Sequence, residues 1–426
     1  MQPMRRESPY PMVPVEEAQR IIAAHTPLLS TEEIVIAGQG AALDASALGR
    51  VLATDIFAPD DMPDRPKSAV DGYALHAADG LAERRVLGEL TAGGALYDQP
   101  LPRGTAVRIM TGAPLPPGAD AVIMVEQTEE HDGILRVAEA VSPGNNMQQV
   151  GQDMTKGALV LSRGTVLGAP EIGLLATVGR TRVPVYRRPV VAVLATGDEV
   201  YEPDTQPSAG GVRDSNRYAL LAAAREAGCE VISLGIARDD EAVQRAAILE
   251  GVARADVLLT SGGVSMGTRD LIKPLLAELG TVHFGRIMFK PGKPTTFATI
   301  ERPDRDTPLL AFGLPGNPVS SLVSFEVFAR PALRRMQGDA RPERPRVKAI
   351  LRDPIRTSDN RPDFQRAIIS WENGQLVARS TGAQGSSRLL SLRGANALLI
   401  VVASDQPYEV GSPVEAMLTG PIQVAP

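Results

Sequence analysis

Between Pro189 and Met336 the chain alternates two hydrophobic rhythms. Pro189-Val-Val-Ala-Val-Leu-Ala is an unbroken apolar run, which predicts a strand buried on both faces. Helical spacing follows from Asn216 to Ala227, with Asn216 or Ser215 as its N-cap. The alternation continues with a strand at Val231-Ile-Ser-Leu-Gly, a helix from Asp240 to Arg254, a strand from Asp256 to Thr260 and a helix from Leu271 to Leu279. Strands at Gly285-Arg-Ile-Met-Phe and Leu309-Leu-Ala-Phe and a closing helix from Val319 to Met336 complete it. Such βα alternation predicts a doubly wound, largely parallel sheet, whose ligands bind outside the carboxyl ends of the strands.

The flanking rhythms are shorter. Val15-Glu-Glu-Ala-Gln-Arg-Ile-Ile has helical spacing. From about residue 68 to 144, runs such as Ala106-Val-Arg-Ile-Met and Ala121-Val-Ile-Met-Val between turn residues predict a small β-rich domain. Gly144 to Arg182 adds short strands and a helix around Pro170-Glu-Ile-Gly-Leu-Leu-Ala. From Pro345 on, short strands such as Val347-Lys-Ala-Ile-Leu and Ala397-Leu-Leu-Ile-Val-Val predict a small barrel or sandwich. The expected division is therefore 10–55 with 145–187 as a discontinuous N-terminal domain, 56–144 inserted into it, 188–338 as the α/β domain, and 345–426 as the C-terminal β domain.

Composition narrows the classes. A chain of 426 residues exceeds one core and suggests about three or four units. One cysteine excludes an internal disulfide framework and a cysteine-based zinc site, and Cys229 reads as a small buried apolar side chain. The four histidines have no metal-ligand spacing. A net charge of −6 with 4% aromatic residues argues against general nucleic-acid binding. The absence of a long apolar run and of a signal-peptide pattern gives the expectation of a cytoplasmic protein without a membrane partner.

Candidate chemistry gathers in glycine-rich loops after the predicted strands. They are Thr196-Gly-Asp-Glu199, Ser261-Gly-Gly-Val-Ser-Met-Gly-Thr-Arg-Asp270, Lys290-Pro-Gly-Lys-Pro294 and Gly313-Leu-Pro-Gly-Asn-Pro318. One such loop is an ordinary strand-to-helix turn. Four at one sheet edge, carrying cations, hydroxyls and carboxylates, read as a phosphate-ligand site, because glycine lets an anion approach the backbone closely. Lys290 and Lys293 in a stiff proline turn are either anion ligands or a solvated turn. Glu199 and Asp270 suit Mg²⁺ shared with substrate phosphates. Asp270 suits a helix cap equally, and the two roles are compatible.

With Ser68-Ala-Val-Asp-Gly-Tyr-Ala, Arg108-Ile-Met-Thr-Gly-Ala-Pro, Gly151-Gln-Asp, Asp214-Ser-Asn and Phe364-Gln-Arg added, the chain resembles the molybdopterin molybdenumtransferase family, which includes the gephyrin E-domain, almost end to end. The resemblance implies a four-domain homodimer with a C-terminal β-barrel and an α/β domain like that of the molybdopterin adenylyltransferases. It implies insertion of molybdate into adenylated molybdopterin with release of AMP, supported by Mg²⁺. It marks Asp71, Thr111, Asp153, Glu199, Lys290 and Lys293 as catalytic. It marks Asp214, Ser215, Asn216, Ser261, Gly262, Gly263, Ser265, Asp270, Pro315, Gly316, Asn317, Pro318 and Arg366 as substrate-binding, with Glu199, Asp270 and Asp214 as Mg²⁺ ligands. In a dimer, the β-rich lobe carrying Asp71 and Thr111 is expected to complete the partner's site. Lys67 and Val70 depart from the Asn and Met that the family often has before Asp-Gly-Tyr, and Arg286 stands where some relatives have lysine.

Two other readings share these residues. The first is the adenylyltransferase reaction on molybdopterin, which needs only the α/β domain. The second is a gephyrin-like scaffold. A molybdopterin adenylyltransferase and cofactor-accepting apoenzymes are the expected protein partners, and tungstate would meet the same groups as molybdate.

Overall fold

The computed structural model describes residues 10–36, 45–264, 271–356, 360–404 and 406–424. The chain forms two compact units, one of Met1–Ala53, Gly164–Pro170 and Thr181–Pro426, the other of Thr54–Arg163 and Glu171–Arg180. No described helix is long and apolar enough to cross a membrane.

The first unit opens with helix α1 (Val15–His25), which buries Val15, Ala18 and Ile22. The second unit holds a six-stranded sheet of β1 (Gly72–Leu75), β2 (Arg84–Leu90), β3 (Thr105–Ile109), β4 (Ala121–Met124), β5 (Thr128–His131) and β6 (Ile134–Val137), ordered β4-β1-β3-β2-β6-β5. Alternate residues of these strands feed two small cores. Tyr73, Leu75, Ala106, Ala121 and Ile123 lie in one, and Ala74, Val107, Ile109 and Val122 in the other.

The α/β part of the first unit contains β7 (Val190–Thr196), α2 (Asn216–Glu226), β8 (Glu230–Ala237), α3 (Glu241–Arg254), β9 (Val257–Ser261), α4 (Ile272–Leu279), β10 (Thr281–Phe284), β11 (Thr296–Ile300), β12 (Leu309–Leu314), α5 (Pro318–Ser324) and α6 (Arg330–Met336). The sheet order is β8-β7-β9-β12-β11-β10. The first four strands run parallel, while β11 and β10 close the sheet antiparallel. Strand periodicity sorts side chains to two cores. Val191, Val193, Val257, Leu259, Leu310 and Phe312 face one core, and Ala192, Leu194, Leu258, Leu309 and Ala311 face the other. Seven of the chain's eight phenylalanines lie in the first core, which also takes Ile22 of α1, Leu333 of α6 and Phe364, Leu398 and Met417 from the C-terminal strands. Helix α1 and the C-terminal strands thus share one hydrophobic core with the sheet.

The C-terminal strands β13 (Arg346–Leu351), β14 (Asp363–Glu372), β15 (Gln375–Ser380), β16 (Ala397–Val401) and β17 (Pro413–Leu418) close into a five-stranded barrel, β15-β13-β17-β16-β14 and back to β15. Closure removes the free edges that an open sheet of this size would leave.

Three local features differ from the expectation. Gly285–Phe289 is not a sheet strand. Its backbone pairs with Val13, which donates to Arg286 O and accepts from Met288 N, while Ile287 N–H donates to Lys293 O. The closing helix is interrupted at Phe325–Ala329 by a π turn. There the Arg330 N–H reaches back to Phe325 O, just ahead of Pro331, which has no N–H to give. The cap of α2 comes from neither Asn216 nor Ser215: Ser215 holds the N-cap position without a side-chain bond, and Asp214 Oδ1 accepts from Arg217 N–H at 3.0 Å.

Candidate active site

The exits of β7, β9 and β12 and the start of α2 lie at one edge of the sheet. Thr196, Gly197 and Glu199, Asp214–Asn216, Ser261–Val264 and Pro315–Pro318 line an open cleft of about 750 Å³. Pro294 of the Lys290–Pro294 turn joins them. That turn reaches the same edge because it leads into the amino end of β11, where Thr296 pairs with Gly313 at the carboxyl end of antiparallel β12.

Glycine is required where these loops meet. Gly262 has φ +98°, and a Cβ on it would lie 2.8 Å from Thr196 O. Its N–H is already donated to Leu314 O, as that of Gly197 is to Ala237 O. At these two positions glycine supplies close approach rather than a vacant donor. Gly197 also makes room for Glu199: a Cβ there would sit 2.6 Å from both carboxylate oxygens.

Asn216 braces the cradle. Its Nδ2 donates to Ser261 Oγ and to Gly316 O, both at 2.7 Å, tying the β9 exit to the β12 exit. Asp214 is committed to Arg217, whose Nε lies 2.7 Å from Asp214 Oδ2, while its Nη atoms reach Ser233 and Glu202. Arg238 donates to Asp198 O at 2.6 Å and to Val200 O at 3.3 Å, holding the loop that carries Glu199. The Glu199 carboxylate makes no hydrogen bond or ion pair with another described residue and is exposed. Among the described residues no group of three His, Cys, Asp or Glu side chains gathers to hold a metal. An exposed single carboxylate at the cleft is compatible with Mg²⁺, which takes one or two protein oxygens and fills the rest with substrate and water. Ser265 and Asp270 lie outside the described residues.

The cations stand near the barrel. Lys290 Nζ is 3.0 Å from Asp363 Oδ2 at the start of β14, and two backbone bonds join the same segments, Lys290 N to Pro362 O and Phe364 N to Lys290 O. Lys293 is exposed. Arg366 is fully buried in β14, donating from Nε to Ser391 Oγ and from Nη2 to Gly385 O, while Nη1 has no partner among the described residues. Burial pulls its guanidinium down to about 10, opposed by the Asp363 charge.

In the second unit, Asp71 Oδ1 accepts from Thr111 N–H at 2.7 Å and from Thr111 Oγ1 at 2.8 Å. These bonds, the backbone one first, hold the Asp71 carboxyl below its ordinary range. Asp153 is exposed on a loop whose backbone bonds Met62 O.

Ser387 and Leu389 were missed as cleft residues. They belong to the barrel loop after β15, docked on the β12 exit by Asn317 Nδ2 to Ser386 Oγ at 3.1 Å and Val319 N to Ser386 O at 3.0 Å. The run Gly385-Ser-Ser after a strand was the available signal. Arg217, which flanks Asp214-Ser-Asn, was likewise unmarked, as were Arg238 and Asp239, which lie far in sequence from the Glu199 loop they meet.

Known families match across this architecture. The MoeA N-terminal region (domain I and II) matches residues 13–179, a family described as "Probable molybdopterin binding domain" matches 192–335, and the MoeA C-terminal region (domain IV) matches 348–419. A molybdopterin molybdenumtransferase of Haemophilus influenzae is 37% identical over 83% of this chain and 87% of its own length. One from Bacillus subtilis is 33% identical over 95% and 94%. Gephyrin of Dictyostelium discoideum is 36% identical over 98% of this chain, which spans 64% of that longer protein. The solved structure of a molybdopterin biosynthesis MoeA protein from Pyrococcus horikoshii is 29% identical, covers 96% of this chain and all of its own, and superposes with a TM-score of 0.81. With relatives of 33–37% identity matched over most of their length, this chain belongs to the MoeA family of molybdopterin molybdenumtransferases.

Proposed function

We propose that this chain is a molybdopterin molybdenumtransferase, which takes adenylated molybdopterin and molybdate, places the metal in the dithiolene and releases AMP. The observation that carries the reading is the braced cleft, in which Asn216 ties two close-approach loops together with a carboxylate at Glu199 and the Lys290–Pro294 turn at the same sheet edge. In this reading Ser215, Asn216, Ser261, Gly262, Gly263, Ser265, Pro315, Gly316, Asn317 and Pro318 cradle the phosphate-bearing ligand. Lys290, Lys293 and Arg366 supply the positive charge that a tetrahedral dianion requires. Glu199, with Asp270, would hold Mg²⁺, which neutralises phosphoanhydride charge as AMP leaves. Asp214 serves the cradle through Arg217 and the start of α2. Asp71, Thr111 and Asp153 are assigned catalytic roles, and the low Asp71 pKa keeps that carboxylate ionised at neutral pH.

The protein is further proposed to act as a cytoplasmic homodimer that receives its substrate from a molybdopterin adenylyltransferase and passes product to apoenzymes. The four-part division into 10–55 with 145–187, 56–144, 188–338 and 345–426 belongs to the same proposal. The purified chain is given adenylated molybdopterin, Mg²⁺ and molybdate, and AMP is followed. Molybdate-dependent release is expected, and Lys293→Ala or Glu199→Ala should lower it about 10²-fold or more. AMP release without molybdate, or adenylate made from ATP, would overturn the assignment.

A further inference from the structure

Asp363 is a buried carboxylate set against the cations assigned to the oxyanion. Its side chain is 5% exposed and its Oδ2 lies 3.0 Å from Lys290 Nζ. Gln365 Nε2 donates to the same oxygen at 3.0 Å. The Asp363 charge also acts on Arg366, three residues along β14. The Lys290 side chain remains one-third exposed, while Asp363 holds its ammonium from within.

We infer that Asp363 is a specificity-determining residue, an internal counter-ion that an incoming oxyanion must displace from Lys290. This rests on the assignment of Lys290 to the oxyanion. A charge-assisted hydrogen bond at 3.0 Å in a poorly solvated setting competes with any ligand for the same ammonium. Weakly held anions lose that competition. A dianion that also engages Lys293 gains enough to win it, so the ion pair trades affinity for discrimination.

The sign of the effect separates this role from a structural one. Molybdate and nitrate binding to the intact protein are measured by calorimetry at fixed ionic strength, for the wild type, Asp363→Asn, Asp363→Glu, Lys290→Ala and the double variant, with melting temperatures taken alongside. Asp363→Asn should bind molybdate about three- to tenfold tighter, and the weakly held monoanion nitrate by a larger factor, narrowing the preference. Asp363→Glu should stay within about twofold of wild type, and Lys290→Ala should abolish the gain in the double variant. Unchanged or weaker binding by Asp363→Asn, with Lys290→Ala weakened, overturns the counter-ion role and leaves the oxyanion assignment standing. Unchanged binding by Lys290→Ala overturns both. If Asp363→Asn does not fold, loss of affinity in Asp363→Glu equal to that in Lys290→Ala would mark Asp363 as a plain tether and sink the proposal.

Discussion

At Gly262 a single methyl group is enough to test the cradle. In Gly262→Ala the new Cβ must move from 2.8 Å of Thr196 O while φ stays near +98°, and both effects fall on loops the ligand approaches. A loss of about 1–3 kcal/mol is expected, read as a lower midpoint in urea unfolding, with AMP release reduced by more than that loss explains. Asn216→Ala removes two donors at once and should lower activity with a smaller stability change. Cys229 offers a control. Burial pushes its thiol up to about 12, so iodoacetamide should leave the native protein unlabelled and modify it only after unfolding. Gly262 and Gly263 were legible as close-approach residues because four glycine loops fall at one sheet edge, where a single one reads as an ordinary turn. The Asn216 brace was not, since a side chain's partner 45 or 100 residues away leaves no mark on local spacing.

Helix α1 and edge strand β10 meet through an imidazole pair. The rings of His25 and His283 lie 3.8 Å apart, with Phe297 beneath His283 and Thr299 Oγ1 2.9 Å from its Nε2. Burial first, and the His25 charge second, lower the His283 pKa from its ordinary value. A base whose folded pKa is depressed binds its proton more readily when unfolded. Its contribution is therefore present above about pH 6.5 and lost as pH falls from there through the folded value. Melting temperature should decline over that window, and His283→Gln should flatten the decline. A wild-type curve with the same slope as the variant's would contradict this. Element types were legible where periodicity was sustained, as in α2, α3, β7 and β9. They were not at Gly285–Phe289, where an apolar run of strand-like length packs Ile287 and Phe289 into the core while its backbone pairs with Val13. Periodicity reports burial, and burial is shared by strands and well-packed loops.

In the first unit, the sheet face that holds Phe297 and Phe312 is covered by α1, the closing helices and barrel residues Phe364, Leu398 and Met417. Phe289 and Phe364 rings lie 4.9 Å apart across that junction. Residues 188–338 expressed alone would expose this surface. We expect the fragment to aggregate or to bind a hydrophobic dye strongly, whereas the whole chain does neither; a monomeric, cooperatively melting fragment would show that the shared core is dispensable. The α/β architecture and the β character of the C-terminal strands were readable from sequence, because each is written in local rhythm. Local rhythm left barrel and sandwich open, and the family resemblance decided for the barrel that the structure forms; the entry of Ser387 and Leu389 into the cleft was not legible, because it depends on a loop meeting strand exits far along the chain.

That docked barrel loop gives the cleft two walls with separate histories. One wall is the sheet edge, where Thr196 and Ser261 are also links in strand register. The other is a loop between β15 and β16, outside the register of the α/β sheet and tied to it through Ser386, where change in the remaining side chains leaves the strands in place. Paralogues or laboratory variants that accept a different nucleotide or pterin should therefore differ around Gly385–Leu389 before they differ at Gly262 or Gly316.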